Sequence, residues 1–83
     1  MYNVNNGVFI VKETKIKIKK EEEYITLQSV LKLTGIVDTG GMVKAYLATE
    51  KVLVNNELEN RRGRKLYSGD IVEASGLKIL IEK

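Results

Sequence analysis

Hydrophobic and polar positions change their rhythm twice along this chain. The stretch Lys15-Ile16-Lys17-Ile18-Lys19 alternates strictly. Period-two alternation is the signature of a strand with one buried face, so Ile16 and Ile18 are expected to point inward and the lysines outward. A shorter apolar run, Val8 to Val11, reads as another strand, and residues 1–7 read as a loose start broken by Asn3, Asn5, Asn6 and Gly7. After the acidic turn Glu21-Glu22-Glu23 the spacing becomes helical. Thr26 can cap a helix whose inner face is Leu27, Val30, Leu31 and Thr34, and Gly35 ends it by accepting a left-handed backbone. Asp38-Thr39-Gly40-Gly41 is a second break, and Val43, Tyr46 and Leu47 give the segment from Met42 to about Glu50 an apolar stripe. Two short helices with a tight connection make an αα-hairpin.

From Val52 onward the period returns to two. Val52-Leu53-Val54 and Glu57-Leu58-Glu59 flank Asn55-Asn56, a pair that tolerates the positive φ of a two-residue hairpin turn. Ser68-Gly69-Asp70 turns into the strand Ile71–Ala74, and Ser75-Gly76 turns into a last strand with Leu77, Ile79 and Ile81 on one face. The order β, α, α, then several β predicts an α+β fold, with a two-helix hairpin packed on a small mixed or antiparallel sheet. With 83 residues there is room for one domain, so 1–83 is read as a single unit.

Composition narrows the chemistry. The chain has no cysteine and no histidine. That removes disulfides, thiolate metal sites, the cysteine nucleophile, the commonest near-neutral base and the commonest zinc ligand. None of Ser29, Ser68 and Ser75 lies in a Gly-x-Ser-x-Gly setting. No catalysis, metal or cofactor is expected. Neither a signal peptide nor a membrane-spanning run is visible, and a cytoplasmic protein is expected.

Charge adds direction. The net charge is +3, and Arg61, Arg62, Arg64 and Lys65 are clustered around Gly63. Arginine presents a planar fork of donors that suits phosphate, so this cluster is read as a phosphate-binding loop, which Gly63 lets a ligand approach closely. The competing reading is a solvated turn, which gains nothing from four mutually repelling charges. At the start of the second helix, free backbone N–H groups beside Thr39, Gly40 and Gly41 suit an anion. Lys44, placed in the first turn against the helix dipole, fits a phosphate partner. Lys32 and Lys51 read as solubilising lysines, and Lys15, Lys17 and Lys19 as plainly solvent-exposed. Glu57 and Glu59 read as partners for structural ion pairs in a basic neighbourhood. Tyr24, Tyr46 and Tyr67 read as core or edge residues, without the interleaved pattern of a stacking sheet.

Positions 24–44, YITLQSVLKLTGIVDTGGMVK, and 52–73, VLVNNELENRRGRKLYSGDIVE, resemble the S-four-type RNA-binding domain, named after small-subunit ribosomal protein four. Within it they are most similar to the stand-alone YaaA-like group. The Thr39-Gly40-Gly41 junction and the string Glu59 to Leu66 are the most specific parts. The resemblance covers about two thirds of the chain, with a core motif at 24–74. It leaves the last strand outside and residues 1–23 as an N-terminal strand extension.

The resemblance implies the alpha-L RNA-binding motif and a non-catalytic binder of structured RNA, ribosomal RNA or tRNA, in ribosome assembly or quality control. It places Lys32, Thr39, Gly40, Gly41, Lys44, Asn55, Arg61, Arg62, Arg64 and Lys65 towards RNA. Two positions depart from the pattern. Gly40-Gly41 stand where relatives often carry Ser-Arg, and Asn56 stands where glycine is common. Two alternatives remain open: a DNA-binding or protein-interaction accessory, and a ubiquitin-like β-grasp protein. The latter shares the Val52 to Glu57 hairpin and the Gly69-Asp70-Ile71-Val72 turn, but its carriers need a Gly-Gly tail where this chain ends Ile81-Glu82-Lys83.

Overall fold

The computed structural model describes residues 12–83, together with the backbone of two short strands, β1 (Asn3–Asn5) and β2 (Val8–Ile10). These two pair antiparallel, Val4 opposite Phe9, so Asn3–Asn5 is a strand where a loose start was expected. The rest of that expected start, residues 1, 2, 6 and 7, and Val11 of the expected strand lie outside the described residues.

Alternation makes β3 (Lys12–Lys17) a strand, with Lys15 and Lys17 exposed, Ile16 half-buried and Ile18, just past its end, buried. The next elements are β4 (Ile25–Thr26), α1 (Leu27–Leu33), α2 (Gly40–Thr49), β5 (Leu53–Val54), β6 (Glu57–Leu58), β7 (Lys65–Leu66), β8 (Ile71–Ala74) and β9 (Leu77–Glu82). Five strands form one sheet in the order β3-β9-β8-β5-β6, and β4 pairs with β7 in a separate two-stranded ladder. The pair β3–β9 is parallel, Lys12 opposite Leu77 and Lys17 opposite Glu82, while the other pairs in that sheet are antiparallel. The sheet is therefore mixed, and the fold is α+β. The strand before the helices is built into the main sheet beside β9.

Turn chemistry fixes the register of the hairpins. Asn55 and Asn56 have φ of 51° and 70°, the left-handed pair that matches the twist of β5 and β6. The core lies between the helical hairpin and the sheet and is almost wholly aliphatic. Leu27, Val30 and Leu31 of α1 and Val43 and Leu47 of α2 meet Val54, Val72, Ala74, Ile79 and Ile81. Tyr46 packs half-buried at the margin of this core.

A seven-residue helix is too short to persist alone. Three contacts hold α1 at its N-terminus. The Thr26 hydroxyl accepts the Ser29 amide at 3.3 Å. The amides of Leu27 and Gln28 donate to the carbonyls of Arg64 and Arg62 at 2.9 and 3.0 Å. At the other end Gly35, with φ of 78°, takes the left-handed conformation that closes the helix. Helix α2 begins differently. Thr39 makes no side-chain capping bond, and two glycines open the helix.

Candidate nucleic-acid interface

The basic loop is shaped by a carboxylate. Residues 61–64 form a turn, with the Arg64 amide donating to the Arg61 carbonyl at 3.1 Å. Inside it sits Glu59, only 8% exposed. Its Oε2 accepts from the Arg61 backbone amide and from Arg61 Nε, both at 2.9 Å, and its Oε1 accepts from Arg61 Nη2 at 3.0 Å and from Arg64 Nη1 at 2.7 Å. These charge-assisted bonds, those from the Arg61 side chain foremost, hold the Glu59 carboxyl at about 2, against an ordinary 4.5, despite the opposing effect of burial. The same bonds push the Arg61 guanidinium up.

Glu59 divides the four cations of the loop. Arg64, with 30% of its side chain exposed, turns inward to Glu59. Arg61 is bound to the same carboxylate but keeps 71% of its side chain in solvent. Arg62 is exposed and takes no part in either ion pair. Lys65 is exposed and lies over the Tyr24 ring, 5.0 Å from its centroid. The expectation that Glu59 serves a structural ion pair holds.

The loop and the second helix share one surface. Lys44 and Leu47 of α2 and Asn60, Arg61, Arg62 and Gly63 line an open groove of about 390 Å³. Backbone bonds fix the loop against α1, whose first-turn amides of Leu27 and Gln28 donate to the Arg64 and Arg62 carbonyls. Gln28, which holds Arg62, also reaches α2: a Cβ on Gly40 would lie 3.5 Å from Gln28 Nε2 and 4.0 Å from Lys32 Nζ. Gln28 and Lys32 are four apart on α1, and Gly40 and Lys44 four apart on α2, so each pair shares a helix face. The surface runs from the loop across Lys44 and Gly40 to Lys32. There it meets a second groove, of about 440 Å³, in which Lys32 is joined by Lys17 and Lys19, with Glu22 and the exposed Leu33 beside them.

Three sequence expectations change here. Lys44 is the fifth residue of α2, not part of its first turn, so it does not bear directly on the helix dipole. Lys17 and Lys19 are exposed as expected, but they line a groove with Lys32, which their own alternation could not show. Asn55 is not among the residues of either groove. Its Nδ2 donates to Asp70 Oδ1 at 3.1 Å and its Oδ1 accepts the Ile71 amide at 3.0 Å, so its side chain is spent on tying the β5–β6 turn to β8. Thr39 is exposed beside Gly40, at the uncapped start of α2.

Among the described residues there is no group of three or more carboxylates that could hold a metal, and no helix long and apolar enough to cross a membrane. The cations of the two grooves place several hydrogen-bond donors on open surface.

The chain is 52% identical over 59 residues, 71% of its own length and 83% of the relative's, to the probable ribosome maturation protein RlbA of Bacillus subtilis (strain 168). The family model described as "S4 domain" matches residues 10–82. That match is wider than the two stretches that carry the resemblance in the sequence. It takes in β3 and β9, in keeping with their pairing in the main sheet. The chain belongs to the S4 domain family.

Proposed function

We propose that this protein is a non-catalytic binder of structured ribosomal RNA that acts in ribosome maturation in the cytoplasm. The observation that carries the reading is the groove in which Lys44 of α2 meets Arg61 and Arg62 of the loop. Two elements there bring separate cations to one open groove, and several cations along a groove suit the repeated charges of a phosphate backbone. Thr39, Gly40, Gly41 and Lys32 continue the contact along the helical hairpin, and Lys65 extends it past the loop. Arg64 supports the loop from inside. The similarity to a protein named for ribosome maturation favours ribosomal RNA over tRNA. Affinity comes mainly from phosphate contacts, and selectivity from the shape of an A-form helix, whose deep major groove hides base edges from side chains.

The test uses the two cations that hold nothing else in place. Lys44→Ala and Arg62→Ala, separately and together, are measured for binding to a ribosomal RNA hairpin across a salt series, with a DNA hairpin of the same sequence beside it. Loss of affinity with a shallower salt slope, and preference for RNA, support the reading. Unchanged affinity in the folded double variant sinks it, and equal affinity for the DNA hairpin points to the accessory role on DNA.

A further inference from the structure

One exposed cluster beside the loop has no part in the groove. The β4–β7 ladder pairs Ile25 with Leu66 and Thr26 with Lys65. Leu66 is fully buried and Ile25 packs against the core. Alternation therefore turns Lys65 and Tyr67 outward on β7 and its extension, and Tyr24 outward opposite them. The Tyr24 and Tyr67 rings lie 6.0 Å apart at 55°, 37% and 48% exposed, and Lys65 Nζ stands 5.0 Å from the Tyr24 centroid.

A cross-strand aromatic pair stabilises a ladder, but both tyrosines stay exposed on a molecule whose core is aliphatic, with Lys65 over one side of Tyr24. Their position says what covers them. Lys65 follows Arg64 directly, and the Arg62 and Arg64 carbonyls are fixed on α1. The loop side of the cationic groove and Tyr67 therefore lie on one run of chain that is tied to α1 at Arg62 and Arg64. Tyr24 also lines a groove with Glu22, Glu23, Ile25, Thr26 and Ser29, while Lys65 stands over its ring. Phosphates are repelled by the two carboxylates and drawn to Lys65.

We infer that Tyr24 and Tyr67, with Lys65, form a stacking platform for an unpaired nucleobase of the RNA whose phosphates lie along the Lys44–Arg62 groove. This rests on the RNA-binding reading and sharpens its ligand to a duplex that ends or bulges into unpaired nucleotides. An aromatic face accepts any base, so the platform selects for an unpaired nucleotide and not for its identity.

The experiment compares a short blunt RNA hairpin with the same hairpin carrying unpaired adenosines at one end or as a bulge, one of them replaced by 2-aminopurine. The unaltered protein is expected to bind a tailed or bulged hairpin about tenfold more tightly than the blunt one, with quenching of the 2-aminopurine on binding. Changing Tyr24→Leu and Tyr67→Leu together removes that difference, and changing both to Phe keeps it. Circular dichroism checks that each variant is folded. If the leucine variant does not fold, the quenching in the unaltered protein and the phenylalanine variant decides. No preference for unpaired adenosines, no quenching, or a folded leucine variant that retains the preference overturns the platform. Lys44→Ala with Arg62→Ala must weaken binding to blunt and tailed hairpins alike. If it does while the tyrosine changes do nothing, only the platform falls, and if it does not, the phosphate reading falls as well.

Discussion

The two ends of the cationic surface are built on opposite principles. At the loop, Glu59 gathers Arg61 and Arg64 into a fixed shape, with four hydrogen bonds to one carboxylate. At the start of α2, nothing is gathered: Thr39 makes no side-chain cap and two glycines open the helix. One end holds cations still by neutralising some of them. The other leaves backbone amides without a side-chain partner and lets a ligand come close. Clustered positive charge in a sequence is therefore not the same as available positive charge. Of the four basic residues at 61–65, one is turned inward, one is shared with Glu59, and Arg62 and Lys65 carry their charge outward.

The contrast breaks most visibly at Glu59. Glu59→Gln keeps the size of the side chain and removes its charge, and it is expected to cost about 2–3 kcal/mol of stability. This is at or below the foot of the range for a broken buried pair, because the carboxylate is covered by arginine side chains that themselves reach solvent. RNA affinity is expected to fall although the net charge becomes more positive, since the loop loses its fixed shape. An affinity gain would show that the loop acts through charge alone. Urea unfolding and a binding titration on the same variant settle both points.

Acid gives an independent handle on the same carboxylate. Glu59 titrates at about 2 in the folded chain, against an ordinary 4.5. A depressed carboxyl contributes stability that is fully present above the ordinary value and is lost as pH falls through the folded one. Stability should thus decline from about pH 5 down to about 2, by an amount on the order of 3 kcal/mol from this group. In Glu59→Gln that component of the decline should be absent, and the difference between the two unfolding curves reads it directly.

How much of the molecule is legible in its sequence depends on how local each feature is. Thr26, Gly35, Asn55-Asn56 and the apolar positions of both helices act through neighbours a few residues away, so the elements they mark stand where the sequence puts them. Helix α2 begins two residues earlier than its apolar stripe suggests, because glycines carry no hydrophobic signal. The parallel pairing of β3 with β9 joins residues more than sixty positions apart, and nothing in the alternation of the lysines names that partner. For the same reason the sequence does not place Lys17 and Lys19 beside Lys32. The β4–β7 ladder is two residues per strand, too short for a period to show, so the exposed tyrosine pair leaves no trace in the pattern. Glu59 carries a usable signal, a carboxylate two and five positions before arginines, but its hold on both emerges only when the turn at 61–64 brings them round it.

Next in size come the cations that carry no structural duty. Lys44→Ala and Arg62→Ala are each expected to lower RNA affinity about tenfold at moderate salt, and to reduce the salt slope by about 0.7–0.9 for each phosphate no longer neutralised. Stability should change by no more than about 0.5 kcal/mol, as for other surface substitutions. Arg64→Ala should show the reverse balance, destabilising the fold by more than its exposure suggests. If Arg62 and Arg64 behave alike, the distinction between outward and inward arginines is wrong.

The smallest effect tests the other end of the surface. Gly40 lies at the first position of α2, its φ is not positive, and the nearest atoms to an added Cβ are 3.5 Å and 4.0 Å away, at ordinary contact distance. Space and backbone both admit alanine. Alanine removes conformational freedom from the unfolded chain and favours the helix, so Gly40→Ala should raise stability by roughly 0.5–1 kcal/mol. A methyl group there also narrows the approach of a phosphate to the helix amides, so RNA affinity should fall a few-fold. Stability and binding then move in opposite directions in one variant. A variant that gains stability and binds as well as before would show that the bare helix start is a folding feature and that the contact rests on side-chain cations alone.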